Sequence, residues 1–160
     1  MSEPKTYNSL NRNRLVKIPS EKTIWHIAAI GLGLIISIAV IFILQFLNFL
    51  LYPSSNKIDI NQTYEYSLFV ANHPIFLSGN LLSNLIGCFL GSAIAVLVRP
   101  DLTITKSMSV GAVLLILSMV NIIMIPHPSW FVILTILLYL PFSYLGATFI
   151  KQQLDKHSSQ

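Results

Sequence analysis

The stretch from Ile24 to Tyr52, IWHIAAIGLGLIISIAVIFILQFLNFLLY, decides the fold, because it runs without a single Asp, Glu, Lys or Arg. About 20 apolar residues in a helix cross a hydrocarbon layer of about 30 Å, and this block exceeds that length with room to tilt. A secretory signal has an apolar region of only about 7–15 residues, followed by a small-residue cleavage site. Neither feature is present, so the segment is expected to stay as an anchor.

Three further apolar blocks follow, at about 75–98, 103–125 and 130–150. Arg99-Pro100-Asp101 separates the second from the third, and Pro126-His127-Pro128 separates the third from the fourth. Proline cannot continue a helix and restricts the residue before it, so these are helix boundaries. The turn at 126–129 is short enough to make the last two spans an antiparallel hairpin. The reading is an all-α integral membrane protein, a four-transmembrane-helix bundle over residues 23–151, with an outer loop at 53–74. A basic tail (1–22) and a polar tail (152–160) flank it. Within the loop, Ile58, Ile60, Tyr64, Tyr66 and Leu68 alternate imperfectly with polar residues, which suits a short strand or an interfacial strip.

The composition agrees. Hydrophobic residues make up 54% of the chain and charged residues 10%, against roughly 25% charged in an ordinary soluble domain. Too few charges remain to coat a water-facing surface. The single cysteine, Cys88, lies inside an apolar block, which excludes an intramolecular disulfide framework and a thiolate cluster. A net charge of +4 could suggest nucleic acid, but the basic residues flank the apolar blocks and read as topology signals, so no nucleic-acid partner is expected.

With the N-terminus inside, the inner segments hold Lys5, Arg12, Arg14, Lys17, Lys22, Arg99, Lys106, Lys151 and Lys156, and the outer loops hold only Lys57. The positive-inside rule then puts both termini in the cytoplasm, in a multi-pass protein of the cell membrane, expected to be a bacterial inner membrane. Trp25, Tyr52 and Trp130 fall at the interfacial levels where an aromatic ring keeps its polar tip wet.

Charged groups are absent from the span interiors; Lys106 lies at an end, where its side chain can snorkel. Ion-coupled pumps, carriers and voltage sensors rely on such groups. The polar residues that remain are mostly amides and hydroxyls. Gln45 and Asn48, three apart, share a face of the first span; Asn80 and Asn84, four apart, share a face of the second; Asn121 lies in the third. Topology puts all five amides in the outer leaflet. They form either a hydrated pocket, with His73 and His127 near its mouth, or a set of interhelical hydrogen bonds, each contributing about 0.6 and at most roughly 2 kcal/mol.

Ser83, Gly87, Gly91 and Ala95 recur every four residues along the second span. A stripe of small residues lets another backbone approach closely, within the bundle or between two copies of the chain. Pro141 removes one backbone donor inside the fourth span and predicts a kink near Ser143 and Tyr144. His73 and His127 share a compartment with Asp59 and Glu65, but without metal-ligand spacing, so no metal and no cofactor is expected. Asn61-Gln62-Thr63 matches a glycosylation sequon, meaningful only in a eukaryote. No local motif for a nucleophile, a zinc pair or a phosphate loop appears, and the chain is not expected to be an enzyme.

Residues 80–91, NLLSNLIGCFLG, resemble a segment of the small four-helix fluoride channels. That resemblance implies Asn84 and Phe89 on an ion pathway, although the third span lacks the Gly- and Thr-rich break of those channels. Over about residues 75–150 the order of features is similar to small bacterial tetraspan proteins without an assigned activity. It rests on the glycine-rich second span, NIIMIPHPSWF at 121–131 and LPFSYLGA at 140–147, and it implies fold and membrane placement. Two functions follow as expectations. One is a noncatalytic accessory or assembly subunit that binds another membrane protein, or a second copy, through the glycine face of the second span or the exposed face of the first. The other is a passive channel or carrier for a small polar solute or anion.

Overall fold

The structure, a computed structural model, describes residues 20–52 and 63–158. Among these residues every regular element is helical: α1 (Glu21–Leu51), α2 (Thr63–Asn72), α3 (Pro74–Val98), α4 (Ile104–Ser107), α5 (Ser109–Met124) and α6 (Ser129–Ser158). Four helices are long and apolar enough to span a membrane: α1, α3, α6 and the α4–α5 pair, which is joined at Met108.

Prolines set the helix ends. Tyr52, His73, Arg99 and Ile125 each precede a proline, and each has left the helical region, with φ of −95°, −123°, −132° and −125° respectively. The Pro ring clashes with a helical residue before it and favours extended backbone there. Pro74 then opens α3 in the first turn, where its missing N–H costs nothing. Pro141 lies inside α6, where the helix continues although the Leu137 carbonyl loses its intrahelical donor.

Two segments differ from the sequence reading. The stretch expected to be a strand or a strip contains α2, because Tyr66, Phe69, Val70 and His73 recur at helical spacing and turn toward α3, with Phe69 and Val70 buried. Ile58 and Ile60 lie outside the described residues, as do Asp59 and Asn61. The fourth long helix, expected over about 130–150, continues to Ser158. Gln152 to Lys156 are good helix formers with no Gly or Pro among them, and Lys156 and His157 sit favourably at the negative end of the helix dipole.

The long helices run up, down, up and down. Ser37 meets Gly87, Gln45 meets Asn84 and Asn48 meets Asn80, so α1 and α3 are antiparallel. Ser92 meets Ser143, which sets α6 parallel to α3, and Ser118 meets Tyr139, which sets α5 antiparallel to α6. Helix α3 is central. Its buried residues form most of the core with Val110, Leu114, Phe131 and Tyr139. We call the end with residues 20–26 and 150–158 the terminal end, and the end with α2 and the α5–α6 turn the loop end.

Near the terminal end the helices touch backbone to backbone. A Cβ added at Gly91 would meet the Ser37 hydroxyl, the Gly33 carbonyl at 2.7 Å and Val110 at 3.0 Å. One at Gly146 would run into the backbone of Phe89, and one at Gly111 would meet Ser143. The Ser37 hydroxyl is shared between the carbonyls of Gly33 and Gly87, each at 2.9 Å. The stripe Ser83, Gly87, Gly91 and Ala95 is thus buried, with its two glycines and Ala95 facing Gly33, Ser37 and Ile41 of α1. At the same end His26 lies 3.1 Å and Arg99 3.0 Å from Asp101. The hydrogen bond to His26, followed by the Arg99 charge, holds the Asp101 carboxyl below its usual pKa.

Candidate functional site

Toward the loop end the helices separate and enclose a chamber of about 330 Å³. Its walls come from all four long helices: Ile38, Ile41, Phe42 and Gln45 of α1; Asn80 and Asn84 of α3; Leu114, Leu117, Ser118 and Asn121 of α5; Phe131 and Tyr139 of α6. Tyr66 of α2, Ile125 and His127 cover the loop end. Toward the terminal end the lining stops at Ile38 and Leu114, and beyond them Gly33, Gly91 and Gly111 bring the helices into close contact, so the chamber is blind toward that end.

Helical spacing brings the polar groups to one level. Gln45 Nε2 donates to Asn84 Oδ1 at 3.2 Å. The Tyr139 hydroxyl is hydrogen-bonded to Ser118 on the other side of the same space. Two polar pairs therefore line the chamber, one joining α1 to α3 and one joining α5 to α6. Inside an apolar bundle each of these groups needs a partner, since an unsatisfied buried donor or acceptor costs about 1–3 kcal/mol.

Asn121 and His127 at the chamber stand outside those two pairs. The Asn121 side chain is exposed at the edge of the chamber and makes no hydrogen bond to the described residues. His127 is bound through Nδ1 to the carbonyl of Ile125 and stacks on Phe131 at 5.0 Å. A carbonyl only accepts, so Nδ1 carries the proton and Nε2 is left as an acceptor. Burial lowers the His127 pKa and favours the neutral ring. Among the described residues, no Asp, Glu, Lys or Arg lines the chamber. Its chemistry is that of neutral hydrogen-bond donors and acceptors.

Of the five amides singled out from the sequence, Gln45, Asn80, Asn84 and Asn121 line the chamber. Asn48 does not. Its Nδ2 donates to Asn80 Oδ1 at 2.9 Å and to the Phe76 carbonyl at 3.0 Å, in the space that Gly79 leaves by having no side chain. His73 is also elsewhere: it bonds the Phe69 carbonyl at 2.8 Å and stacks on the Phe69 ring, beside Tyr52. Sequence reasoning missed Ser118, Tyr139 and Tyr66. A tyrosine deep in an apolar block was the available signal, since its hydroxyl must find a partner. The two residues paired by the fluoride-channel resemblance part company, because Asn84 lines the chamber while Phe89 packs on the α6 side against Gly146 and Phe149.

No family model matches the chain, and neither a curated protein nor a solved structure matches it.

Proposed function

We propose that the chain is a noncatalytic multi-pass membrane protein that binds a small, uncharged, hydrogen-bonding molecule in the chamber. The observation that carries this reading is Asn121, an exposed amide on the edge of an uncharged cavity that makes no hydrogen bond to the described residues. In an apolar surrounding such a group costs free energy unless water, a ligand or another chain satisfies it. The volume of about 330 Å³ falls at the lower end of ligand-sized sites, which begin at roughly 300 Å³. Amides and hydroxyls bonded to one another suit recognition better than proton transfer. The blind end favours a binding site over a continuous pore.

In the membrane both termini face the cytoplasm. This rests on Lys22, Arg99, Lys106, Lys151 and Lys156, all at the terminal end, together with the basic residues of the N-terminal tail. The chamber then lies in the outer leaflet. Native mass spectrometry of the full chain, released from a nonionic detergent, tests the binding reading. A discrete adduct on the wild-type chain that is lost in Asn121→Leu is expected. An adduct-free wild-type protein that remains folded would overturn it.

The accessory-subunit reading is supported by a second observation. Helix α1 packs mainly on α3 and presents Trp25, Ile35, Phe42 and Ile43 outward. Because α1 already covers the glycine face of α3, a partner or a second copy would bind this outer face of α1. A defined membrane protein that co-purifies with wild type, and not with Ile35→Trp, would favour that reading.

A further inference from the structure

The chamber continues into a second hollow of about 290 Å³ at its loop-end side. Phe42, Gln45, Tyr66 and Asn80 line both spaces. The remaining wall of the second hollow is apolar and aromatic: Phe46 and Phe49 of α1 and Phe76 of α3. Phe42, Phe46 and Phe49 follow one another at helical spacing and form a stripe along α1 that leads out of the polar chamber. Phe42 is 72% exposed and Leu117, across the opening on α5, is 50% exposed, so the gap between α1 and α5 faces the side of the bundle.

We infer that the ligand is an amphiphile, with an uncharged hydroxyl, amide or carbonyl head in the chamber and a hydrocarbon or aromatic tail along the phenylalanine stripe, entering sideways between α1 and α5. The inference rests on the binding reading above and adds the tail and the route. Three features carry it. The polar and aromatic spaces are contiguous, so one molecule can occupy both. Among the described residues the chamber has no charged side chain to offset a charged head, whose desolvation would go uncompensated. The side opening is edged by apolar residues, which suits a molecule arriving from the acyl chains better than one arriving from water.

The test uses the full chain in phosphatidylcholine nanodiscs and a monoacylglycerol with a photoactivatable diazirine in its acyl chain. Saturable crosslinking is expected, mapping to the segment of α1 that holds Phe42, Phe46 and Phe49. Unlabelled monooleoylglycerol should compete, while sodium oleyl sulfate, with the same tail and a charged head, should not. Asn121→Leu removes this amide and should reduce labelling at least fivefold; because Asn121 is exposed and makes no hydrogen bond to the described residues, this change leaves the fold intact, as size-exclusion behaviour will show. Phe46→Ala, on the exposed face of α1, should reduce it as well. Non-saturable labelling spread evenly over all lipid-facing helices would overturn the inference. Competition by free glycerol equal to that of monooleoylglycerol would also overturn it while leaving the binding reading standing, because it would show a tailless solute in the chamber. If neither competes and no adduct is retained, both fall.

Discussion

Gln45 of α1 donates its side-chain amide to Asn84 of α3 at 3.2 Å, and both line the chamber across from Tyr139 and Ser118, which are hydrogen-bonded to each other. One amide pair thus ties α1 to the central helix at the level where the bundle opens. The same contact both holds α1 in place and supplies a wall of the chamber.

The pair should be energetically coupled by a modest amount. Interhelical hydrogen bonds in membrane bundles average about 0.6 kcal/mol and reach about 1.7. A double-mutant cycle of Gln45→Leu and Asn84→Leu, read by reversible unfolding in detergent, should give a coupling within that range. Zero coupling would place the two amides out of contact.

The glycines make a sharper contrast. A methyl group at Gly91 would press on the Ser37 hydroxyl and the Gly33 carbonyl, both tied into the α1–α3 contact, whereas one at Gly31 would meet nothing within 4 Å. Gly91→Ala should destabilise by about 1–3 kcal/mol, the usual cost of overpacking. Gly31→Ala should be neutral or slightly stabilising, since alanine is the better helix former by about 1 kcal/mol. Thermal unfolding of the two variants measures the difference directly.

How much of this was legible in the sequence follows from which forces act locally. The four spans, their order and their proline-set ends are written in continuous apolar runs and in residues such as Tyr52 and Ile125, because the steric restriction before proline needs no tertiary context. The amides of Gln45, Asn84 and Asn121 stood out because amides are rare in apolar blocks. That Asn48 would be satisfied by Phe76 and Asn80 while Asn121 stayed unpaired was not legible, since it depends on how α1 and α5 lean relative to α3. Helix α2 was misread because alternation at Tyr64, Tyr66 and Leu68 competes with the helical spacing of Tyr66, Phe69, Val70 and His73, and burial against α3 decides in favour of the helix.

Protonation of His127 should loosen the loop-end cover of the chamber. Burial lowers its pKa in the folded chain below the ordinary 6.5, so the unfolded chain binds the proton more readily. The contribution of the neutral ring is therefore full above about pH 6.5 and is lost as the pH falls below it. Wild type should lose melting temperature between about pH 6.5 and pH 5, and His127→Gln should lose less over the same interval. Parallel curves for the two proteins would contradict this assignment.

The central claim, that the chamber is an open polar site and not a dry contact between helices, is tested most directly by the reactivity of a thiol placed in it. Cys88 is the chain's one cysteine and is fully buried, so it gives little background. Alkylation proceeds through the thiolate, which forms only where polar groups or water can solvate it. Asn121→Cys puts a thiol at the chamber, and Ile123→Cys puts one on the outward apolar face of the same helix, where the side chain is 83% exposed. With the full chain in lipid vesicles and N-ethylmaleimide as the probe, Asn121→Cys should react at least tenfold faster than Ile123→Cys. Equal, negligible reaction at both positions would show that the chamber is closed and dry.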